Sequence, residues 1–245
     1  MKHSKKILAL LSTLPILMFG CNSSVTGLTG NLIGYAHLYD LSGAHLATSL
    51  DSGITVKVEE TGRHTKTAED GRWELSGLAT GTYTISFSYP GYGTYKRVGS
   101  QYVGGGQVYF GTQSLYQIPL FYVSNFLATT SGSIGLTGTF SGTLPTGTRN
   151  VRYFVGTTSA VSSDPAKYLY TNTTSASSTS TTFSASISSA SLGATGVGIL
   201  SGQTVYIVAY AEGYTPNSYL DFATGRSYYP DLGATGSNIL TVVVP

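Results

Sequence analysis

Apolar and polar residues alternate with a period of two along most of this chain. In residues 54–59 the apolar Ile54, Val56 and Val58 share one face, and Thr55, Lys57 and Glu59 the other. Residues 83–89 repeat the pattern with Tyr83, Ile85, Phe87 and Tyr89 on the inward side. Further runs of this kind occupy 151–155, 183–187, 205–210 and 239–244. Such alternation, bounded by Gly, Asn, Asp and Ser, marks half-buried strands. Helical periodicity is nearly absent beyond the amino-terminal segment, and the 31 glycines supply the positive-φ positions that tight turns need. The expected fold class is all-β: two β-sandwich domains in tandem, residues 27–123 and 124–245. The boundary is placed near Ser124. Residues 114–123 read as a closing strand with Pro119 at an edge or bulge, and residues 129–132 read as linker.

The amino terminus has a different pattern. Lys2, Lys5 and Lys6 precede an apolar run over 7–19, followed by Gly20, Cys21 and a polar Asn22-Ser23-Ser24. The 13-residue run contains Pro15 and is short of the roughly 20 apolar residues that a spanning helix requires. A basic head, a short hydrophobic core and a small residue before the cut form a secretory signal. With a cysteine at the cut, the segment resembles a bacterial lipoprotein signal. That resemblance implies a signal peptide over 1–20, a diacylglyceryl group on the thiol of Cys21, and an acylated tether over 21–26. Met18 and Phe19 depart from the residues usual before such a cut, and Leu17 stands one step early. Acyl chains contribute about 0.8 kcal/mol per buried CH₂, so the expected partner is a membrane held through Cys21. Asn22 is not the Asp that retains such proteins at the inner membrane in some bacteria, which points to the outer membrane of the cell envelope.

Removing the three signal lysines changes the charge picture. The whole chain is formally +2, with 13 basic and 11 acidic residues; without Lys2, Lys5 and Lys6 it is −1. Only 10% of residues are charged, against about 25% in a typical soluble domain. Clustered Lys and Arg for phosphate contacts are missing, so nucleic acid is excluded as a partner. Cys21 is the one cysteine, so there is no disulfide framework, and stability rests on packed cores.

Residues 27–122 resemble the carboxypeptidase regulatory-like domain, a small prealbumin-type sandwich. The resemblance is carried by Gly30-Asn31-Leu32-Ile33-Gly34, Asp40-Leu41-Ser42-Gly43 and the 54–58 strand. It is strongest over Thr65 to Leu75, with Asp70-Gly71-Arg72-Trp73 at its centre, then Gly77 to Ile85, and Pro90-Gly91-Tyr92. Asp70-Gly71 is a turn pair expected to close a hairpin, with Trp73 and Leu75 inward on the strand that follows. In that family such domains accompany enzymes, transporters and surface proteins without doing chemistry.

Residues 126–245 look like a fibronectin type III-like sandwich. Residues 151–158 resemble its central strand. Leu200 six positions before Tyr206, with Gly202 between, resembles its tyrosine corner, in which the phenol bonds to upstream backbone. Tyr206 is therefore the expected structural tyrosine, and Tyr206→Phe is expected to cost about 1 kcal/mol. Residues 171–191 are almost wholly Ser, Thr and Ala; they read as a long exposed connection with one edge strand, or as a glycosylated or adhesive loop.

No catalytic constellation emerges. His37, His45 and His64 match no common zinc spacing and are expected as solvated residues, so no metal and no cofactor is anticipated. Glu59 and Glu60 point to opposite faces of a strand, and no Gly-x-Ser-x-Gly elbow or phosphate loop is present. The candidate ligand face is aromatic. If Leu32, Ala36 and Leu38 are inward, Tyr35, His37 and Tyr39 share the outer face, where rings can stack on sugars. A second group, Tyr89, Tyr92, Tyr95 and Tyr102, surrounds Pro90-Gly91. The expected role is a non-catalytic, lipid-anchored envelope protein that is structural, adhesive or scaffolding, with an envelope protein as partner. The alternative is a carbohydrate-binding accessory lipoprotein working beside an enzyme or transporter.

Overall fold

The computed structural model describes residues 27–213 and 217–245. Cys21 and the signal segment lie outside the described residues. Among the described residues, no helix is long and apolar enough to cross a membrane.

The chain is all-β and builds two sandwiches. The first comprises β1 (Thr29–Tyr39), β2 (Thr55–Val58), β3 (His64–Lys66), β4 (Arg72–Ala79), β5 (Gly81–Ser88), β6 (Tyr95–Tyr102) and β7 (Gln107–Tyr116). One sheet has the order β4-β1-β7 and the other β3-β2-β5-β6. β1 pairs antiparallel with β4 and parallel with β7, so the first and last strands of this domain lie side by side. The alternation read from sequence is realised directly. Ile54, Val56, Val58, Ile85, Phe87 and Leu115 are fully buried, as are Trp73 and Leu75 nearly so. Trp73 is the centre of this core, edge-on to Phe87 and Phe110 at 5.7 Å each.

Asp70-Gly71 forms a turn, with Gly71 at φ 78° and Asp70 Oδ1 accepting from Arg72 N at 3.0 Å. It does not close a hairpin. β3 and β4 belong to different sheets, so the turn carries the chain from one layer to the other. The turn residues fitted either job; which sheet each flanking strand joins is decided by long-range pairing with β1 and β2.

The second sandwich comprises β8 (Phe121–Thr130), β9 (Ser133–Gly142), β10 (Arg149–Gly156), β11 (Tyr170–Ala176), β12 (Thr182–Ser188), β13 (Thr204–Glu212), β14 (Tyr219–Asp221), β15 (Arg226–Tyr228), β16 (Leu232–Gly236) and β17 (Leu240–Val243). β12-β9-β8 faces β11-β10-β13-β16, and β17 also pairs with β13. β14 and β15 form a separate hairpin.

The sequence reading of 114–132 needs correction here. Residues 114–123 are not one strand: β7 ends at Tyr116, Pro119 lies in the connection, and β8 begins at Phe121. Phe121 and Val123 pack in the second core, so the change of domain falls between Tyr116 and Phe121 rather than near Ser124. Residues 129–132 are the end of β8 and a tight turn into β9, not a linker. A bulge at Asn125, the one described non-glycine residue with positive φ (47°), lets Phe121 and Val123 point inward before it and Phe126 after it.

The Ser/Thr/Ala-rich stretch is likewise more ordered than expected. It contains both β11 and β12, and a short helix α1 (Ser189–Gly193) capped by Ser188. Ala176, Phe183 and Ile187 are its buried anchors, with Leu192 buried just beyond its end. Small hydroxyl residues on the other face of these strands gave no apolar alternation for sequence to detect.

β10 is buried along its whole length. Val151, Tyr153 and Val155 face the main core, while Phe154 joins Val161, Tyr168, Val208 and Leu232 in a second cluster on the other side. The loop after β10 and the segment before β16 thus cover the outer face of this sheet.

Candidate functional site

The outer face of the β4-β1-β7 sheet carries the aromatic row expected from alternation. Leu32, Ala36 and Leu38 are buried, and Tyr35, His37 and Tyr39 are half-buried on the opposite side. Parallel pairing sets Tyr39 beside Tyr116 of β7, with ring centroids 5.1 Å apart. Tyr109 meets Tyr35 edge-on at 6.5 Å, and Tyr35 stacks near His37 at 6.2 Å with planes 19° apart.

The structure adds a polar centre to this row that sequence reasoning missed. After β1, an Asp40–Gly43 turn folds the chain back. Asp40 Oδ1 accepts from Ser42 N at 2.8 Å and Ala44 N at 3.0 Å, and Leu46 N donates to Leu38 O at 2.9 Å. His45 is thereby bridged to Tyr39 across an antiparallel contact, its ring 4.8 Å from that of His37. A 3₁₀ turn at Thr48–Leu50 then brings Asp51 beneath both rings.

Asp51 is fully buried. Its Oδ2 lies 2.7 Å from His37 Nδ1 and 3.0 Å from His45 Nε2, and its Oδ1 accepts from Leu38 N at 2.8 Å. The backbone is fixed too: Thr67 Oγ1 donates to Asp51 O at 2.5 Å and accepts from Ile54 N at 2.9 Å. The three ligand-type atoms all lie within 4.8 Å of one another, a set that can hold a metal ion. His37 and His45 are therefore not isolated solvated residues. The spacing, seven residues between His37 and His45 and five between His45 and Asp51, matches no familiar motif; only the turn at Asp40 and the 3₁₀ turn make them neighbours. His64 sits apart on exposed β3 and bonds to Gly62 O.

The second aromatic group serves packing. Tyr89 and Tyr92 are edge-on at 5.6 Å and partly buried against the first core. Tyr102 is buried and donates to Gly106 O at 3.1 Å. Tyr95 meets Tyr219 of the second sandwich at 6.2 Å. There, Asn217 Nδ2 also donates to Ser114 O at 2.7 Å, while Asn217 N donates to Asp231 Oδ2 at 2.7 Å.

In the second sandwich, Tyr206 lies on the face of β13 opposite Val205 and Ile207, at the rim of the outer cluster. Among the described residues its phenol makes no hydrogen bond to the Leu200–Gln203 backbone. That loop is closed instead by Leu200 N donating to Gln203 Oε1 at 2.7 Å and Gly202 N donating to Val244 O at 2.8 Å. An open groove of about 660 Å³ lies along β8, β9 and the β11–β12 turn, walled by Asn125, Leu127, Thr137, Ser177 and Ser184. The hydroxyl-rich segment contributes much of its lining.

No curated protein matches this chain. Among solved structures, a chain of a type II cohesin–X-dockerin complex from Acetivibrio cellulolyticus is 19% identical over 36% of this chain and 58% of that one, with TM-score 0.32. A candidate carbohydrate binding protein from Bacteroides uniformis is 14% identical over 89% of this chain and all of that one, with TM-score 0.33. A DUF3823 family protein from Parabacteroides merdae is 15% identical over 84% and 98%, with TM-score 0.28. The model of one family matches within the first sandwich, from just after Asp40 through the His45–Asp51 segment and the strand that carries Trp73. Residues 41–108 of this chain match the model of the carboxypeptidase regulatory-like domain.

Proposed function

We propose that the protein is a non-catalytic, lipid-anchored component of a bacterial cell envelope, held at the outer membrane through Cys21 and structural, adhesive or scaffolding in role. The observation that carries this reading is Gly20-Cys21 directly behind a basic head and a 13-residue apolar run. Two rigid sandwiches behind such a tether suit the display of surfaces to another envelope protein. Low charge and hydroxyl-rich outer strands fit contact with neutral partners rather than with nucleic acid. Replacing Cys21 with Ala should abolish labelling of the protein by a fatty-acid probe in growing cells; labelling that persists in the mutant removes the anchor from the reading. Protease shaving of intact cells then tells which way the sandwiches face.

A second reading, a carbohydrate-binding accessory lipoprotein, is favoured by the aromatic row Tyr35, His37 and Tyr39 with Tyr116 and Tyr109 beside it. Replacing Tyr35 and Tyr39 together with Ala should release the protein from a polysaccharide affinity gel that retards the wild type. Saturable glycan binding lost in that variant favours the second reading, and a stable protein partner recovered with the native molecule favours the first.

A further inference from the structure

We propose that His37, His45 and Asp51 form a binding site for a divalent transition-metal ion of the zinc type. This goes beyond the tether and the aromatic face, and it stands whether or not either reading holds.

The starting point is a charge without a counter-charge. The Asp51 carboxylate is fully buried, and among the described residues no Lys or Arg pairs with it; its ion-pair partners are the two imidazoles alone. A buried carboxylate demands a cation or complete hydrogen bonding. Oδ1 is satisfied by Leu38 N. Oδ2 faces two imidazole nitrogens, which converge on this single oxygen. A divalent ion placed among the three would supply the counter-charge directly.

The donor set then selects the ion. Two imidazole nitrogens and one carboxylate oxygen suit zinc and its neighbours; calcium and magnesium call for oxygen ligands. Tetrahedral zinc, with bonds of about 2.0–2.2 Å, sets ligand atoms about 3.3–3.5 Å apart. Oδ2 is 2.7 and 3.0 Å from the two nitrogens, and the full set spans at most 4.8 Å. Seating the ion asks the two oxygen–nitrogen contacts to open and the widest span to close, by small shifts of the His37 ring and of the exposed His45 ring. The carboxylate needs no rearrangement, because Leu38 N and Thr67 hold it from behind. On binding, the imidazole protons reside on His37 Nε2 and His45 Nδ1, the nitrogens turned away from the ion. The His37 and His45 side chains are 21% and 34% exposed, so water or a ligand from solution can fill the fourth position.

The test uses purified, chelator-treated protein without a polyhistidine tag, titrated with zinc chloride by calorimetry at pH 7.5. One zinc per chain is expected, with affinity lowered roughly tenfold or more in His45→Ala, a loss at least as large as removing a supporting residue causes. Cobalt(II) should give visible d–d absorption in the wild type and lose it in the same variant. His64→Ala, altering an exposed histidine elsewhere, should bind as the wild type does. His37→Ala and Asp51→Asn touch more buried positions, so His45→Ala decides if either fails to fold by circular dichroism. Absence of zinc binding to the folded wild type, or equal binding in His45→Ala, overturns the site.

Discussion

Arg152 on β10 and Glu212 at the end of β13 form a buried ion pair, Nε to Oε1 2.5 Å, inside the second sandwich. The guanidinium lies over the Tyr229 ring at 3.8 Å, and Thr173 Oγ1 donates to Glu212 Oε2 at 3.1 Å. Burial pushes the Glu212 carboxyl up from the usual carboxylate range, and Arg152 and Thr173 hold it back. Removing one partner strands the other charge in the interior. Arg152→Met or Glu212→Leu alone should destabilise by about 3–5 kcal/mol, while the double variant should lie much nearer the wild type. Chemical denaturation of the four proteins in a double-mutant cycle measures this, and additive single losses would contradict it.

Asp231 makes stability depend on pH in the opposite sense to most carboxylates. Burial pushes its carboxyl up to about 7, against the lowering effect of the Asn217 N–H, with the Glu212 charge adding to the rise. The folded chain therefore holds a proton that the unfolded chain releases near pH 4. Stability is full below that value and falls as pH rises to about 7, by a few kcal/mol at most. Melting midpoints between pH 4.5 and 7.5 should decline with pH in the wild type. In Asp231→Asn that decline should be visibly shallower.

Gly71 occupies a position closed to other residues. Its φ is 78°, and a Cβ there would meet Ala36 O and the imidazole of His37. Gly71→Ala should cost about 1–3 kcal/mol, read as a lowered denaturation midpoint. Because the methyl group presses on His37, the same variant should also weaken zinc binding.

Tyr206→Phe should be nearly silent, within about 0.5 kcal/mol by the same assay. The loop it was expected to brace is held by Gln203 and by Val244 instead. A loss of about 1 kcal/mol or more would restore the corner that the sequence resembles.

What could be read from sequence follows from how local the information is. Ile54, Val56, Val58, Trp73 and Leu75 declare their burial through strict alternation, so the strands and cores were legible. Tyr35, His37 and Tyr39 were placed on one face by the same rule. The range of β8 was not legible, because the Asn125 bulge breaks its alternation, and the connection around Pro119 adds apolar residues that continue it. The His37–Asp51–His45 cluster was hidden for a different reason. It depends on two successive reversals of chain direction over 15 residues, and neither has a sequence period. The second tyrosine group shows the converse limit: composition placed rings near Pro90, but only the fold reveals that Tyr95 faces Tyr219 and Tyr102 faces inward.

The parallel pairing of β1 with β7 has a mechanical consequence. Eight residue pairs, from Asn31↔Gln107 to Tyr39↔Tyr116, join the strand that enters the first sandwich to the strand that leaves it. Tension along the chain pulls these neighbours lengthwise past one another, in opposite directions. Their backbone hydrogen bonds, lying across the direction of pull, must then yield together as a row in shear, whereas a hairpin pulled at its open end would unzip one rung at a time. A molecule stretched between a fixed point and a distant load would thus carry the strain on its most cooperative seam.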